Sequence, residues 1–271
     1  MNRLPLIGKL FMSTFPIPIL FKIMQLTKFV STMGKNDARL VGRDQLLLGL
    51  VFYPIFMYFL IRFGLRPATN WLQGAVDFDL TPYWTVGIAH ILVVLLPMFF
   101  GMISGMLLIE EQEDKTLTAM MVTPVSLDRF VGYRAAAAGI VSFLSIMLAL
   151  GNNGLFDISF AQLVAISALG GLASPFNALV FFAFATNRVQ AFGMLKGLST
   201  INTVPLIAWF VAEPWQFLFG LFPPYWAAKA AWTVMEGGSG WLYLIPGFVL
   251  YAAVLYLLVV RFRQKAYSGA V

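Results

Sequence analysis

Residues 110–134 read E-E-Q-E-D-K-T-L-T-A-M-M-V-T-P-V-S-L-D-R-F-V-G-Y-R, and what flanks them decides the fold. An apolar run, 84–109, precedes them and a second, 131–150, follows. Each has about the 20 residues that a helix needs to cross a bilayer. Glu110, Glu111, Glu113, Asp114 and Asp128 are five of the twelve acids in a chain that is 60% hydrophobic and 11% charged. A charged island between two such runs is a link between membrane spans. The chain therefore reads as an all-α, polytopic membrane protein.

Working outward, the 271 residues and a mean hydropathy of +0.82 allow six spans with modest loops. They are expected at about 45–61, 84–109, 131–150, 160–185, 197–212 and 241–260. No loop is long enough for a separate soluble domain, so any soluble activity belongs to a partner chain. A single transmembrane domain is expected over 1–271, with a cytoplasmic interfacial region at 1–45, a six-span core at 46–261 and a cytoplasmic tail at 262–271.

Residues 1–45 carry Arg3, Lys9, Lys22, Lys28, Lys35, Arg39 and Arg43. Ile19, Ile23, Leu26 and Val30 fall at helical spacing between them, which predicts a helix lying in the membrane interface. The alternative is a loosely ordered basic tail. The run 10–24 has no A-x-A pattern after it, so a cleaved leader is not expected. Residues 213–239 contain Pro214, Pro223 and Pro224 among aromatics. That stretch is too broken to span and too apolar for a free loop, and it predicts a pair of short re-entrant or interfacial helices. Gly101 and Gly105 form a G-x-x-x-G in the second span, a weak signal for close helix packing. The run Ala135–Gly139 suggests a tight contact in the third. Pro97 is placed to kink the second span, and Gly170, Gly171 and Pro175 to interrupt the fourth.

Charge sets the orientation. With the N-terminus inside, fifteen of the eighteen Lys and Arg residues face the cytoplasm, and only Arg62, Arg66 and Lys229 face out. The positive-inside rule then puts both termini, and residues 110–134, in the cytoplasm of an inner or plasma membrane. The net charge of +6 is assigned to anionic lipid headgroups rather than to nucleic acid.

The chemistry is mostly in what is missing. With no cysteine and one histidine, His90, disulfides, thiolate sites and His metal clusters are excluded within this chain. His90 lacks an acidic neighbour in sequence and reads as a packed side chain, not a base. No enzyme is expected. No span has a carboxylate at its middle, which argues against ion-coupled transport. There is no G-x-x-x-x-G-K-[ST] loop, so an ATP-driven process would need ATP and magnesium bound by a partner. Within 110–134, the acids are expected in the first turns of a helix, followed by Leu117, Met120 and Met121 on one face. Pro124 ends that helix and Ser126 caps the next. From the residues alone, this is either a docking knob or a solvated loop.

The stretch from Gly105 to Arg134 resembles the loop after the second span of type-2 ABC exporter permeases: an acidic start, a Thr-Leu, a hydrophobic step and a Thr-Pro-Val corner. F-A-T-N-R-V-Q-A-F-G-M-L-K at 184–196 is similar to that family's link between spans four and five. F-P-P-Y-W-A-A-K-A at 222–230 is similar to its segment before the last span. Among members, the chain is most similar to small bacterial drug-export permeases of the fluoroquinolone-export kind. The resemblance implies a permease that pairs with a second copy or a sister chain and binds a separate ATP-binding cassette subunit. It makes Glu110, Glu111, Thr116, Leu117, Met120, Val122, Thr123 and Pro124 the contacts to that subunit, with no catalytic or metal residue in this chain. The aromatic, charge-poor interior suits an amphipathic or apolar cargo, while the substrate-binding residues are unassigned. An ion-coupled carrier and a non-transporting immunity or assembly factor are the competing readings.

Overall fold

The computed structural model describes residues 17–116 and 127–267, and every regular element among them is helical. The chain divides into two compact units, Met1–Gln45 and Leu46–Val271. In the first, α1 (Ile17–Arg43) is one helix of 27 residues. Pro18 sits at its second position, where a missing N–H costs nothing.

In the second unit, five helical stretches among the described residues are long and apolar enough to cross a membrane: Leu47–Val76, Thr81–Glu113, Leu127–Gly151, Phe160–Phe184 and Trp241–Lys265. The first joins α2 (Gln45–Phe59) to α3 (Leu65–Val76) through a π-helical turn, Leu60–Gly64. The first span was expected to end near residue 61, with Arg62 and Arg66 beyond it; both lie inside this helix instead. Arg62 donates to the Asn153 carbonyl at 3.0 Å and Arg66 to that of Gly154 at 3.3 Å. With acceptors in reach, these cations need not end the helix. The connecting loop shrinks to residues 77–80. There, hydrogen bonds from Thr81 hold the Asp79 carboxyl below its ordinary pKa.

The second stretch runs through α4 (Trp84–Ile88), a π-helical segment Ala89–Leu95 and α5 (Leu96–Glu113). The wide turns stand directly before Pro97. That proline cannot donate to the carbonyl four residues back and would collide with it in a tight helix, so the widened turn relieves the clash. The third stretch is α6 (Leu127–Gly151). The fourth is α7 (Phe160–Gly171) and α8 (Ala173–Phe184), broken at Leu172 as Gly170 and Gly171 predicted. The expected fifth span falls in α9 (Arg188–Trp209), which is 22 residues long. Arg188, Gln190, Lys196 and Asn202 make it more polar, and it is not one of the five. A 3-10 helix, Trp215–Leu221, and α10 (Pro223–Met235) stand before the last long helix, α11 (Trp241–Tyr267).

The second and fourth stretches form the interior of this unit, while the first, third and last are peripheral. Two glycines bring the central pair together. A Cβ on Gly101 would stand 2.5 Å from the Ser174 carbonyl oxygen, and one on Gly105 would stand 3.0 Å from the Phe181 Cβ. The G-x-x-x-G is therefore a packing seam. Gly139 of α6 and Gly171 of α7 meet in the same way, each Cβ position within 3.5 Å of the other's carbonyl. Hydrogen bonds supplement this packing, since lipid gives helices no hydrophobic reason to associate. Ser174 donates to the Pro97 carbonyl at 2.6 Å and lies 2.5 Å from the Ser142 hydroxyl. Asn202 of α9 donates to Asn177 of α8 at 3.0 Å, and both are fully buried.

Candidate functional site

The acids at 110–113 are the last turn of α5, not the first turns of a new helix as the sequence suggested. Nothing after Ile109 breaks the helix, so it continues to Glu113. It ends where Lys115 enters the left-handed region at φ 56° and its N–H returns to the Gln112 carbonyl at 3.1 Å. Negative charge at a helix C-terminus opposes the macrodipole. Two cations from other elements make the arrangement favourable, and a third ties in the neighbouring helix end.

The first is Arg134 of α6, only 2% exposed, whose guanidinium meets the Glu111 carboxylate at 2.5 Å and lies 5.1 Å from the Phe130 ring centre. Such a pair is held at high cost. Removing one partner of a buried pair typically destabilises by about 3–5 kcal/mol. The second is Arg188, which contacts Glu110 at 2.8 Å and Glu113 at 3.3 Å. Its backbone N–H also donates to Glu113 at 2.9 Å. Arg188 opens α9, where Asn187 caps the helix by accepting from the Gln190 N–H. A carboxylate at this N-terminus is where the α9 dipole favours one. The third is Lys265 of α11. It donates to the Phe182 and Ala185 carbonyls at 2.7 and 2.6 Å, closing the C-terminus of α8, and reaches Gln112 at 3.5 Å. Arg263, two residues earlier, pairs with Asp128 at the start of α6 at 3.2 Å.

The ends of α5, α6, α8, α9 and α11 are thus tied into one charged network at one end of the bundle. Of the predicted contacts, Glu110 and Glu111 belong to it and are engaged within the chain. Thr116 is exposed just beyond it. Leu117, Met120, Val122, Thr123 and Pro124 lie outside the described residues. Sequence reasoning missed Arg134, Arg188 and Lys265 as partners, having counted them only for topology. Arg134 carried the best signal, as a lone cation one helical turn inside an otherwise apolar run. Among the described residues, no group of three His, Asp or Glu side chains could hold a metal ion.

The charged segment 110–134 lies within the region matched by a family model. Residues 37–259 match the model described as fluoroquinolones export permease protein Rv2686c-like. The chain belongs to this family. Two relatives are the fluoroquinolones export permease proteins MT2760 and Rv2686c of Mycobacterium tuberculosis, strains CDC 1551 / Oshkosh and ATCC 25618 / H37Rv. The chain is 32% identical to each over 238 residues, covering 87% of this chain and 94% of the relative. No solved structure matches. With its long apolar helices, this family member is a multi-pass membrane protein. The match takes in every element of the network except the last residues of α11, beyond 259.

Proposed function

We propose that this chain is the membrane permease subunit of an ATP-driven drug exporter, with ATP and magnesium held by a separate ATP-binding cassette subunit. The name shared by the two mycobacterial relatives supports export of an amphipathic, drug-like compound. The observation that carries the ATP-driven part is the network itself. The link 110–134 is anchored at one flank by Glu111–Arg134 and tied to α9 through Arg188. A push on the link therefore reaches α5, α6 and α9 together. Because the acids are already engaged, the docking contacts fall to the apolar residues Leu117 and Met120 and their neighbours Val122, Thr123 and Pro124. α9 serves as the fifth of six spans, both termini lie in the cytoplasm, and the permease acts as a pair with a second copy or a sister chain.

Co-purification tests this. A phosphate-loop-bearing ATPase is expected to accompany the tagged permease, and Leu117→Asp with Met120→Asp is expected to abolish the association while leaving permease yield unchanged. Retained association and retained export in that variant would overturn the docking assignment. Export that survives ATP depletion and collapses with the proton or sodium gradient would overturn the ATP-driven reading.

A further inference from the structure

Lys229 of α10 sits at the opposite end of the bundle from the charged network, beside the C-terminus of α9. It is 6% exposed. Its ammonium donates to Glu213 at 2.5 Å and to the Gln216 Oε1 at 2.6 Å. It lies 5.7 Å from the Trp232 ring centre and 5.2 Å from that of Tyr243, within cation–π range of both. Gln216 cannot turn away. Its Nε2 donates to the Ala208 and Val211 carbonyls at the end of α9, at 2.9 and 3.3 Å, which leaves Oε1 aimed at the ammonium. The Tyr225 hydroxyl, kept above its ordinary pKa by burial and by the Glu213 charge, stays a neutral donor to the same oxygen at 3.3 Å.

The Lys229 ammonium is thus ringed by one carboxylate, one fixed amide oxygen and two aromatic faces. A structural role needs less, because an apolar side chain usually packs such a site at least as well as a buried ion pair. The Glu213 side chain is 54% exposed, so the cage opens on the carboxylate side. We propose that this cage binds organic ammonium cations, and that the Lys229 side chain is a tethered competitor that displaces such a cation at the release end of the permease. A tethered group competes at an effective concentration of the order of millimolar or above, which keeps affinity low where cargo must leave. The inference rests on the export reading for the direction of release. Binding itself needs neither ATP nor a partner subunit.

The test uses the full chain in lipid nanodiscs, with 4-fluorophenethylammonium as probe and 4-fluorophenethyl alcohol as its neutral analogue, read by fluorine NMR. Lys229→Met is expected to bind the ammonium at least about tenfold more tightly than wild type. The gain should vanish in Lys229→Met with Glu213→Gln, and the alcohol should show none of it. No gain in Lys229→Met, or an equal gain for the alcohol, overturns the proposal. Should Lys229→Met not yield a monodisperse protein, Lys229→Ala makes the same comparison. Wild type at millimolar probe gives a third reading, a weak saturable signal removed by Glu213→Gln, and its absence also overturns the proposal. Failure here leaves the co-purification result untouched, so the two readings fall separately.

Discussion

Arg134 shows how one residue can be expensive alone and favourable in company. Its guanidinium is buried against Phe130 and meets Glu111 at 2.5 Å. Replacing Glu111 by Ala is expected to cost about 3–5 kcal/mol, because the arginine stays buried without its carboxylate. The double change Glu111→Leu with Arg134→Met should cost much less, since neither charge then has to be desolvated. Reversible unfolding in mixed micelles measures both, and equal losses in the single and double variants would show that the pair is not the cause. Gly101 makes the complementary case, where the residue must be nearly nothing. A methyl group at that position would press on the Ser174 carbonyl at 2.5 Å. Gly101→Ala should therefore cost about 1–3 kcal/mol by overpacking, whereas Gly87→Ala, with nothing within 4 Å of the new carbon, should be close to neutral in the same assay.

At the scale of elements, the decisive contact is the tie between the end of α5 and the start of α9. Arg188 is 42% exposed, so its ion pairs contribute little to stability. What they supply is a fixed relation between the end of α5 and the start of α9. Arg188→Glu places three carboxylates together in place of the clamp. It is expected to leave expression and ATPase association near wild type while reducing ATP-dependent export several-fold. Unchanged export in reconstituted vesicles would remove Arg188 from the transmission path. The helix before this contact was legible from hydropathy, and so were the breaks at Gly170–Gly171 and around Pro223, whereas the first turns of α9, at 188–196, were expected as a link. The place where α5 ends was not. The acids at 110–114 look like a helix start, because a dipole favours them there. Only Arg134 and Arg188, brought from 20 or more residues away, make them acceptable at a helix end.

For the whole molecule, orientation is the testable quantity, and the chain is suited to it because it has no cysteine. Single cysteines at Thr116, beside the charged network, and at Ser239, between α10 and α11, are both exposed. With an impermeant maleimide on intact cells, Ser239→Cys is expected to react at once, and Thr116→Cys only after the membrane is opened. The reverse pattern would invert the topology and with it the docking side.

The sequence by itself determined that this is a helical, multi-pass membrane protein with a charged link after its second long apolar run. Those features depend on local composition, which a bilayer selects by transfer free energy residue by residue. The resemblance carried by residues 105–134, 184–196 and 222–230 pointed to the permease family that the match over 37–259 established. The tertiary structure decided which charges are engaged. Glu111 is committed to Arg134, Glu110 and Glu113 to Arg188, and Lys229 to Glu213 and Gln216. Hydropathy cannot supply such pairings. They depend on which helix ends meet in space, and those meetings are set by the close approach of backbones at Gly101, Gly105, Gly139 and Gly171.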